Sequence, residues 1–228
     1  MAKTRLIILT RYNIPFSTWK HLLNDEWMEH RFQIFDNICY PSMEGQTNKD
    51  FIWLLFCNPA TKDKWKRKIN GYRLITPVYC DWPDRAKYIN RYAGDADILI
   101  TTRLDNDDAL NRFAINRIQT SLKDRVDCFL NFPNVLVTDG HYIAKYTEPS
   151  NPFISYVETP PFRNVWSVKH GEARYAENII QDESLCAGLR IIHGKNASNS
   201  LGTRVFPLET STAIKDFTIN IDFLKNLK

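Results

Sequence analysis

The sequence predicts an α/β fold in which helices flank a mostly parallel central sheet, followed by a mixed β half. Three observations predict it. Several short segments are apolar throughout, as strands buried on both faces are. In the first half of the chain these segments alternate with helical patterns. In the second half, Asp139 and Gly140 lie between two β-rich segments, which is typical of a hairpin.

In the first half, strands and helices are predicted in strict alternation. The predicted strands cover residues 5–10, 51–57, 73–79 and 97–102, and the predicted helices cover residues 18–35, 61–70, 83–92 and 107–124. Ser17 or Thr18 can cap the first helix, Gly71 ends the second, and Pro83 starts the third. The fourth helix is the longest pattern, with apolar residues spread along one side.

The second half has a different character. Its predicted strands cover residues 127–131, 134–138, 141–146 and 188–192. A proline-rich loop separates the hairpin from a predicted helix at 171–180, and residues 212–228 form a tail with a final amphipathic helix at most. Long loops on a rigid α/β scaffold commonly provide the docking surface for a second substrate.

Length and composition limit the function classes. A chain of 228 residues with 43% hydrophobic and 25% charged residues suits one globular domain. No apolar run is long enough to span a membrane, and the first one is too short for a signal peptide. The net charge of +4 and the basic cluster at 62–68 fall short of a nucleic-acid-binding signature. The five cysteines lack a CxxC pair, which argues against a thiolate zinc site and favours a reducing, cytoplasmic location.

The strongest functional signal is an acid cluster that follows the strand at 97–102. It contains Asp105, Asp107 and Asp108, with Asn106 after the first of them. Carboxylates this close repel one another, and their pKa values rise unless a cation lies among them. Mn²⁺ and Mg²⁺ prefer oxygen ligands and usually share them with phosphate groups. Because ligands bind at the carboxyl ends of strands in open α/β sheets, the cluster predicts a metal and phosphate site.

Two other interpretations of the cluster remain open. Asp108 could simply cap the following helix, and an acidic pair in a loop is often only a solvated turn. The cluster is not an EF-hand loop, because Leu110 stands where that loop requires glycine.

Five segments of the chain together resemble one enzyme family. They are LTRYNIPF (9–16), FIWLLFCNPAT (51–61), TTRLDNDDAL (101–110), PPFRNVWSVKHGE (160–172) and IHGKNASNS (192–200). With these segments the chain resembles GT-A-fold glycosyltransferases, and more narrowly the rhamnosyltransferase family of bacteria and large algal viruses. The resemblance implies a single GT-A-like (Rossmann-like) domain over 1–228. Its nucleotide-binding half would cover 1–110 and its acceptor-side half 111–228.

The resemblance also implies a donor site. The nucleotide-contacting residues that it implies are Thr10, Arg11, Asn13, Arg103, Asp105 and Lys195. Asp105 and Asp107 fill the Asp-x-Asp positions. The resemblance implies that Asp107 is a direct metal ligand, that Asp105 is a partner of the ribose or of the metal, and that His193 would complete the coordination of Mn²⁺ or Mg²⁺.

Lys195 and Asn196 would lie near the diphosphate, where a divalent ion and fixed cations stabilise the charge of the leaving group. Structural alternatives stay open, since Arg11 could pair with a surface acid and Arg103 could only neutralise the acid cluster.

The acceptor side is less well defined. An inverting enzyme needs a group that takes the proton of the acceptor hydroxyl, whereas a retaining enzyme needs none. Glu172 is the first candidate and Asp139 the second, while His170 could act as the base or only position its loop. Glu172 could instead interact with a helix dipole, and Asp139 could simply form the hairpin turn. The aromatic residues that could either stack on an acceptor sugar or pack in the core are Trp166, Tyr156, Phe162 and Phe153.

The sequence therefore predicts a metal-dependent glycosyltransferase. It would transfer a sugar, for which the resemblance suggests rhamnose, from a nucleotide-diphosphate sugar such as a UDP-sugar to the hydroxyl of a glycan acceptor. A sugar-phosphate nucleotidyltransferase shares a related sheet, but its glycine-rich loop is missing from residues 10–16. A non-catalytic carbohydrate-binding protein of the same fold is the other alternative.

Overall fold

Two β-sheets organise the residues that the computed structural model describes, which are 2–15, 20–122, 125–194, 201, 205–208 and 212–227. The strands of the first sheet are β1 (Thr4–Arg11), β2 (Ile52–Cys57), β3 (Ile75–Tyr79), β4 (Ile98–Arg103), β6 (Cys128–Asn131), β9 (Ser155–Glu158) and β10 (Ile179–Gln181). The strands of the second sheet are β5 (Ala109–Leu110), β7 (Asn134–Thr138), β8 (Tyr142–Thr147), β11 (Gly188–Ile191) and β12 (Phe206–Pro207).

The α-helices of the described ranges are α1 (Asp25–Ile34), α2 (Tyr40–Glu44), α3 (Asp63–Asn70), α4 (Arg85–Ala93), α5 (Ala114–Ser121) and α6 (Ile221–Lys225). Each lacks the length and apolar character that a membrane crossing would require.

The first sheet confirms the predicted, mostly parallel architecture. Its strand order is β10-β6-β9-β4-β1-β2-β3. All neighbouring strands are parallel except β9, which runs antiparallel to both β4 and β6. The carboxyl ends of β1, β2, β3 and β4 therefore lie along one edge of the sheet, which is where ligands bind in open α/β sheets. We call this edge the carboxyl edge.

The first sheet is buried on both faces. On β1, Leu6 and Ile8 belong to the apolar cluster that includes residues of α1, α3 and α5, whereas Ile7 and Leu9 belong to the cluster that includes residues of α4. Because successive side chains of a strand point to opposite faces, a strand covered on both sides is apolar at most of its buried positions, and Thr10 is the polar exception in β1. This preference explains why β1 and β2 were predictable from their composition.

The second sheet contains the predicted hairpin. Its strand order is β12-β8-β7-β11-β5. Strands β7 and β8 are antiparallel, and the turn between them includes Gly140 with a φ of 90°, a conformation that glycine adopts without strain. Strand β11 lies parallel to β7 and antiparallel to β5. The end of β11 is thereby placed next to the turn of the hairpin.

A long helical segment connects the two sheets. Between α1 and α2, residues Phe35–Cys39 form a π-helix, so the helical path continues from Asp25 to Glu44. Phe35 packs in the cluster of the first sheet, whereas Ile34 and Ile38 pack in that of the second. Contact with both sheets therefore places this segment beside the acid cluster that follows β4.

The predicted helix at 18–35 is correct in position but ends too early. Its suggested caps, Ser17 and Thr18, lie outside the described residues. α1 itself is capped by Asn24, whose Oδ1 accepts a hydrogen bond from the backbone N–H of Glu26 at 2.8 Å. The helical path passes Pro41 because proline is compatible with the first turn of a helix, here that of α2.

Two other predicted helices are wrong in part. The segment predicted as a helix at 107–124 forms β5 before α5 begins at Ala114. Asp108 does not cap this helix, because its Oδ1 accepts the backbone N–H of Ile191 at 3.1 Å and ties the segment to β11. The segment predicted as a helix at 171–180 forms a 3₁₀-helix at His170–Tyr175 and then strand β10, which pairs with β6.

Candidate functional site

The acid cluster lies at the carboxyl edge and is fixed to the loop that follows β1. The backbone N–H of Leu104 donates to the carbonyl of Leu9 at 3.1 Å. The Nδ2 group of the buried Asn106 donates to the carbonyls of Arg11 and Tyr12, both at 2.8 Å. These bonds satisfy backbone groups at the strand ends, and they hold the cluster in one position.

Asp107 is the centre of the site. Its Oδ2 atom forms a salt bridge with Nη1 of Arg31 from α1 and lies 3.0 Å from Nε2 of His193, which follows β11. The side chain of Arg31 is 5% exposed and that of Asp107 is 14% exposed. Burial opposes ionisation of Asp107, but the charge of Arg31 and the hydrogen bond from His193 outweigh it and hold the pKa of the carboxyl well below its ordinary value.

His193 has a second partner on α1. Its Nδ1 atom lies 3.3 Å from Nε2 of His30, and its side chain is almost completely buried. A neutral imidazole carries its proton on one ring nitrogen, and the partner of the other nitrogen decides which one. His30 therefore lies where it can influence which nitrogen of His193 faces Asp107.

Arg31 was not identified from the sequence. Its Nη1 atom also donates to Oδ1 of Asn106 at 2.9 Å, and its guanidinium lies 5.1 Å from the ring centroid of Trp27. A signal was present, because Arg31 falls on the buried side of α1 together with Met28 and Phe32. A charged residue within the apolar side of a helix requires a buried partner, here Asp107.

Asp108 has a structural role in this arrangement. It is buried, and burial together with the charges of Asp107 and Asp105 raises its pKa well above the ordinary value. Its contact with the backbone of Ile191 joins the acid cluster to β11, and His193 lies two residues beyond.

The donor atoms fit a divalent ion that is shared with a phosphate. An imidazole nitrogen and a carboxylate oxygen lie 3.0 Å apart at His193 and Asp107, so one ion could contact both. Within the described ranges, no three His, Cys, Asp or Glu side chains form a metal-binding group, and Asp105 is thus not the third member of one. Mg²⁺ is commonly held by one or two carboxylates with substrate phosphates as further ligands. The involvement of Mn²⁺ or Mg²⁺ stays a prediction.

Asp105 and Arg103 form a second charged group beside the first. Both side chains are half-buried, and burial lowers the pKa of Arg103 while the charge of Asp105 opposes this shift. The Nε atom of Arg103 is buried without a hydrogen-bond partner among the described residues. An arginine donor left unsatisfied beside the acid cluster is suited to receive an anionic ligand.

The residues at the end of β1 divide into two kinds. Thr10 and Asn13 are fully buried, and their side chains bond within the protein: Thr10 accepts from Nε1 of Trp53 at 2.9 Å, and Asn13 donates to Oγ1 of Thr61 at 2.9 Å. These bonds hold both side chains at the carboxyl edge, and the nucleotide contacts predicted for the two residues stay predictions. Arg11 is half-buried at the edge itself.

Arg11 belongs to an aromatic group at the carboxyl edge. Its guanidinium lies 5.6 Å from the ring centroid of Trp82, and the rings of Trp82 and Trp166 are 4.8 Å apart. Trp166 also contacts Phe56 at the end of β2, with 5.3 Å between the centroids. A signal for Trp82 was present, because this large aromatic residue stands directly before Pro83, three residues after the end of β3. The group brings a cation and two indole rings to the ends of β1 and β3.

The three candidates for the catalytic base occupy different environments. Glu172 is 58% exposed in its side chain, and its Oε1 lies 3.6 Å from Nζ of Lys169 on the surface. Asp139 accepts the backbone N–H groups of His141 and Tyr142 at 2.9 and 2.8 Å, as a turn residue does.

His170 is half-buried. Its pKa is lowered by burial first and by the charge of Arg103 next, while Asp105 acts in the opposite direction. The charges of both Arg103 and Asp105 thus act on the imidazole of His170.

The remaining predicted residues are placed as follows. Phe153 and Tyr156 are buried in the core, and Phe162 packs against it. Lys195 and Asn196 lie outside the described residues.

The sequence matches a family described as "Putative rhamnosyl transferase" over residues 17–204. It matches no curated protein significantly. The structure is similar to S. aureus TarS 1-349 in complex with UDP, with a TM-score of 0.51 and 10% identity over 83% of this chain and 60% of that chain. It is also similar to TarS 1-349 in complex with UDP-GlcNAc, with a TM-score of 0.50 and 10% identity over 86% of this chain and 60% of that one.

The comparisons differ in what they show. At 10% identity, the likeness to TarS concerns the fold, and this chain spans about 60% of the length of those structures. The mostly parallel sheet with its flanking helices is accordingly GT-A-like. The family match covers most of the sequence, and the protein therefore belongs to the putative rhamnosyl transferases, a family of glycosyltransferases.

Proposed function

We propose that this protein transfers a sugar from a nucleotide-diphosphate sugar to a hydroxyl group of a glycan acceptor. The observation that carries the proposal is the convergence of Asp107, His193 and Arg31 at the carboxyl edge. The three residues come from an inter-strand loop, the end of β11 and α1, and none of these segments is near the others in sequence. This convergence supports a binding site for a charged group such as a diphosphate.

The proposed nucleotide is UDP and the proposed sugar is rhamnose. UDP is suggested by the TarS complexes, which contain UDP and UDP-GlcNAc, and rhamnose by the description of the family. The nucleoside would lie beside Arg11 and Trp82, because an indole ring and a guanidinium together offer a stacking surface and a hydrogen-bond donor.

The chemistry follows from the leaving group. Breaking the bond between sugar and phosphate leaves negative charge on the diphosphate, and preorganised positive groups lower the barrier to this step. A bound Mn²⁺ or Mg²⁺ would supply Lewis acidity there, held by Asp107 and His193. Arg31 fixes the position of Asp107, and Arg103 offers its unsatisfied donor to the same anion.

We place the proton acceptor at His170. Its lowered pKa keeps the imidazole neutral at neutral pH, so its free nitrogen can take the proton of an acceptor hydroxyl. Glu172 instead pairs with Lys169 on the surface, and Oδ1 of Asp139 accepts two backbone N–H groups of the hairpin turn. This assignment applies to an inverting reaction.

The proposed function is tested by thermal unfolding with UDP, GDP and dTDP, each with and without Mn²⁺. A ligand that binds only the folded state stabilises it by about 2.7 kcal/mol at 100 times its Kd. We expect UDP with Mn²⁺ to raise the melting temperature most, and uridine to have a smaller effect because it lacks the diphosphate. No shift with any of the three nucleotides would contradict the proposal.

A further inference from the structure

We propose that Arg31 competes with a divalent ion for Asp107, so that the ion binds strongly only together with a nucleotide diphosphate. The inference rests on the proposed function and concerns the order in which the site is filled. It assigns a role to a residue on α1 that lies outside the acid cluster.

The competition follows from a shared atom. The salt bridge from Arg31 and the hydrogen bond from His193 both end on Oδ2 of Asp107. An ion that takes the place of the hydrogen bond between Asp107 and His193 would therefore lie at the oxygen that Arg31 already binds. Two cations at one carboxylate oxygen repel each other, and the weak screening of a buried site makes this repulsion stronger.

Arg31 is held in place by several contacts. Its Nη1 atom donates to Oδ1 of Asn106 at 2.9 Å, its guanidinium lies against Trp27, and its side chain is 5% exposed. Moving the guanidinium of Arg31 away would break its hydrogen bond with Asn106 and leave its charge buried without Asp107 as a partner, which is unfavourable. The guanidinium thus remains beside Asp107 when an ion approaches.

A diphosphate changes the balance of charge. Arg31 already neutralises Asp107, so an ion added alone brings excess positive charge to a buried site. The oxygens of a diphosphate add negative charge and further ligands, which satisfy both the ion and the guanidinium. The affinity for the ion therefore rises when the nucleotide is present, and by linkage the affinity for the nucleotide rises with the ion.

The test measures Mn²⁺ binding to the whole protein by the paramagnetic resonance of the free ion. Without nucleotide, Arg31→Gln is expected to bind Mn²⁺ about tenfold more tightly than wild type, because the competing charge is gone. With saturating UDP the difference is expected to fall below about threefold, because the negative charge of the diphosphate then offsets that of the guanidinium. Arg31→Lys keeps the charge and should stay within about threefold of wild type in both conditions.

Two further variants keep the test decisive. Lys3→Gln also removes one positive charge, here from a surface pair with Asp95. Lys3 precedes β1 and therefore lies at the edge of the sheet opposite to the carboxyl edge, so this variant should leave the Mn²⁺ affinity unchanged. Should Arg31→Gln not unfold cooperatively, Arg31→Met takes its place. An apolar side chain of similar length suits the buried side of α1 next to Met28 and Phe32.

Equal Mn²⁺ affinity of the nucleotide-free wild type and of the neutral variant would overturn the inference. Absence of Mn²⁺ binding in both, with and without UDP, would overturn it as well. Failure of the proposed function is recognised by a different measurement, which needs no variant. In that case none of the nucleotides would stabilise the wild type against thermal unfolding.

Discussion

At the scale of single residues, Asp107 combines two properties that rarely occur together, a negative charge and a largely buried position. It is ionised in a largely buried position, and its one oxygen Oδ2 has both Arg31 and His193 as partners. The neighbouring Asp108 is also buried, and its pKa is raised by burial and by the charges of Asp107 and Asp105, which the charge of Arg190 offsets only in part. The pKa values of adjacent carboxyl groups in one loop thus shift in opposite directions, because Asp107 has a guanidinium in direct contact.

The charge balance revises one step of the sequence-based argument. Carboxylates in a cluster require a cation, and the sequence suggested a divalent ion for this purpose. Arg31 meets part of this requirement without any ligand. A divalent ion is therefore expected to serve the leaving group and not to be needed for folding of the acid cluster.

The assignment of the proton acceptor is tested with His170→Gln and Glu172→Gln. We expect His170→Gln to lower the rate of UDP release from the donor sugar by about 10²- to 10⁴-fold, with UDP binding retained. Glu172→Gln should retain the rate, because the side chain is on the surface. A large loss in Glu172→Gln with none in His170→Gln would reverse the assignment.

The same histidine predicts a pH dependence of the rate. Since burial lowers its pKa from the ordinary value of 6.5, the imidazole is neutral and able to accept a proton throughout the neutral range. The rate of the wild type should therefore fall only as the pH drops below 6.5, and this acidic limb should be absent from His170→Gln. A limb that persists in the variant would exclude His170 as its source.

At the scale of elements, β11 positions the site from the second sheet. It begins at Gly188, where an added Cβ would lie 2.2 Å from the ring of Phe153, and it ends two residues before His193. The small residue allows β11 to pass close to the core of the first sheet. The position of His193 therefore depends on packing between the sheets.

This packing is tested by Gly188→Ala, with Gly171→Ala as its control. The added methyl group at 188 must displace the buried Phe153, so we expect a loss of about 1–3 kcal/mol in the free energy of unfolding. At Gly171 no atom lies within 4 Å of the added Cβ, and little change is expected. Urea unfolding measures both, and equal midpoints for Gly188→Ala and wild type would contradict the account.

The elements also show which parts of the fold a sequence can reveal. Strands β1 and β2 were predictable because burial on both faces favours apolar residues at successive positions, with Thr10 as the polar exception in β1. Strand β9 was not, because two of its buried residues are polar. Ser155 bonds to Thr102 at 2.7 Å, and Glu158 accepts the backbone N–H of Asn164 at 2.7 Å. Ser155 thus has a partner far away in sequence, and the bond to Glu158 depends on the path of the following loop, which no strand pattern records.

At the scale of the whole molecule, the site is assembled from distant parts of the chain. Arg31, Asp107 and His193 are brought together because α1 packs between the two sheets and β11 pairs with β5 beside the acid cluster. The sequence suggested the pairing of Asp107 with His193 only through the family resemblance. Arg31 and His30 could not be placed, because their positions depend on how α1 packs.

The most direct test of the central claim is calorimetric titration of UDP into wild type, Asp107→Asn and His193→Ala, each with and without Mn²⁺. Mn²⁺ is expected to increase the affinity of wild type for UDP at least tenfold, and both substitutions are expected to abolish this increase. Asp105→Asn serves for comparison, because Asp105 lies outside the pair formed by Asp107 and His193. Retention of the full Mn²⁺ effect in Asp107→Asn and in His193→Ala would contradict a diphosphate site at this position.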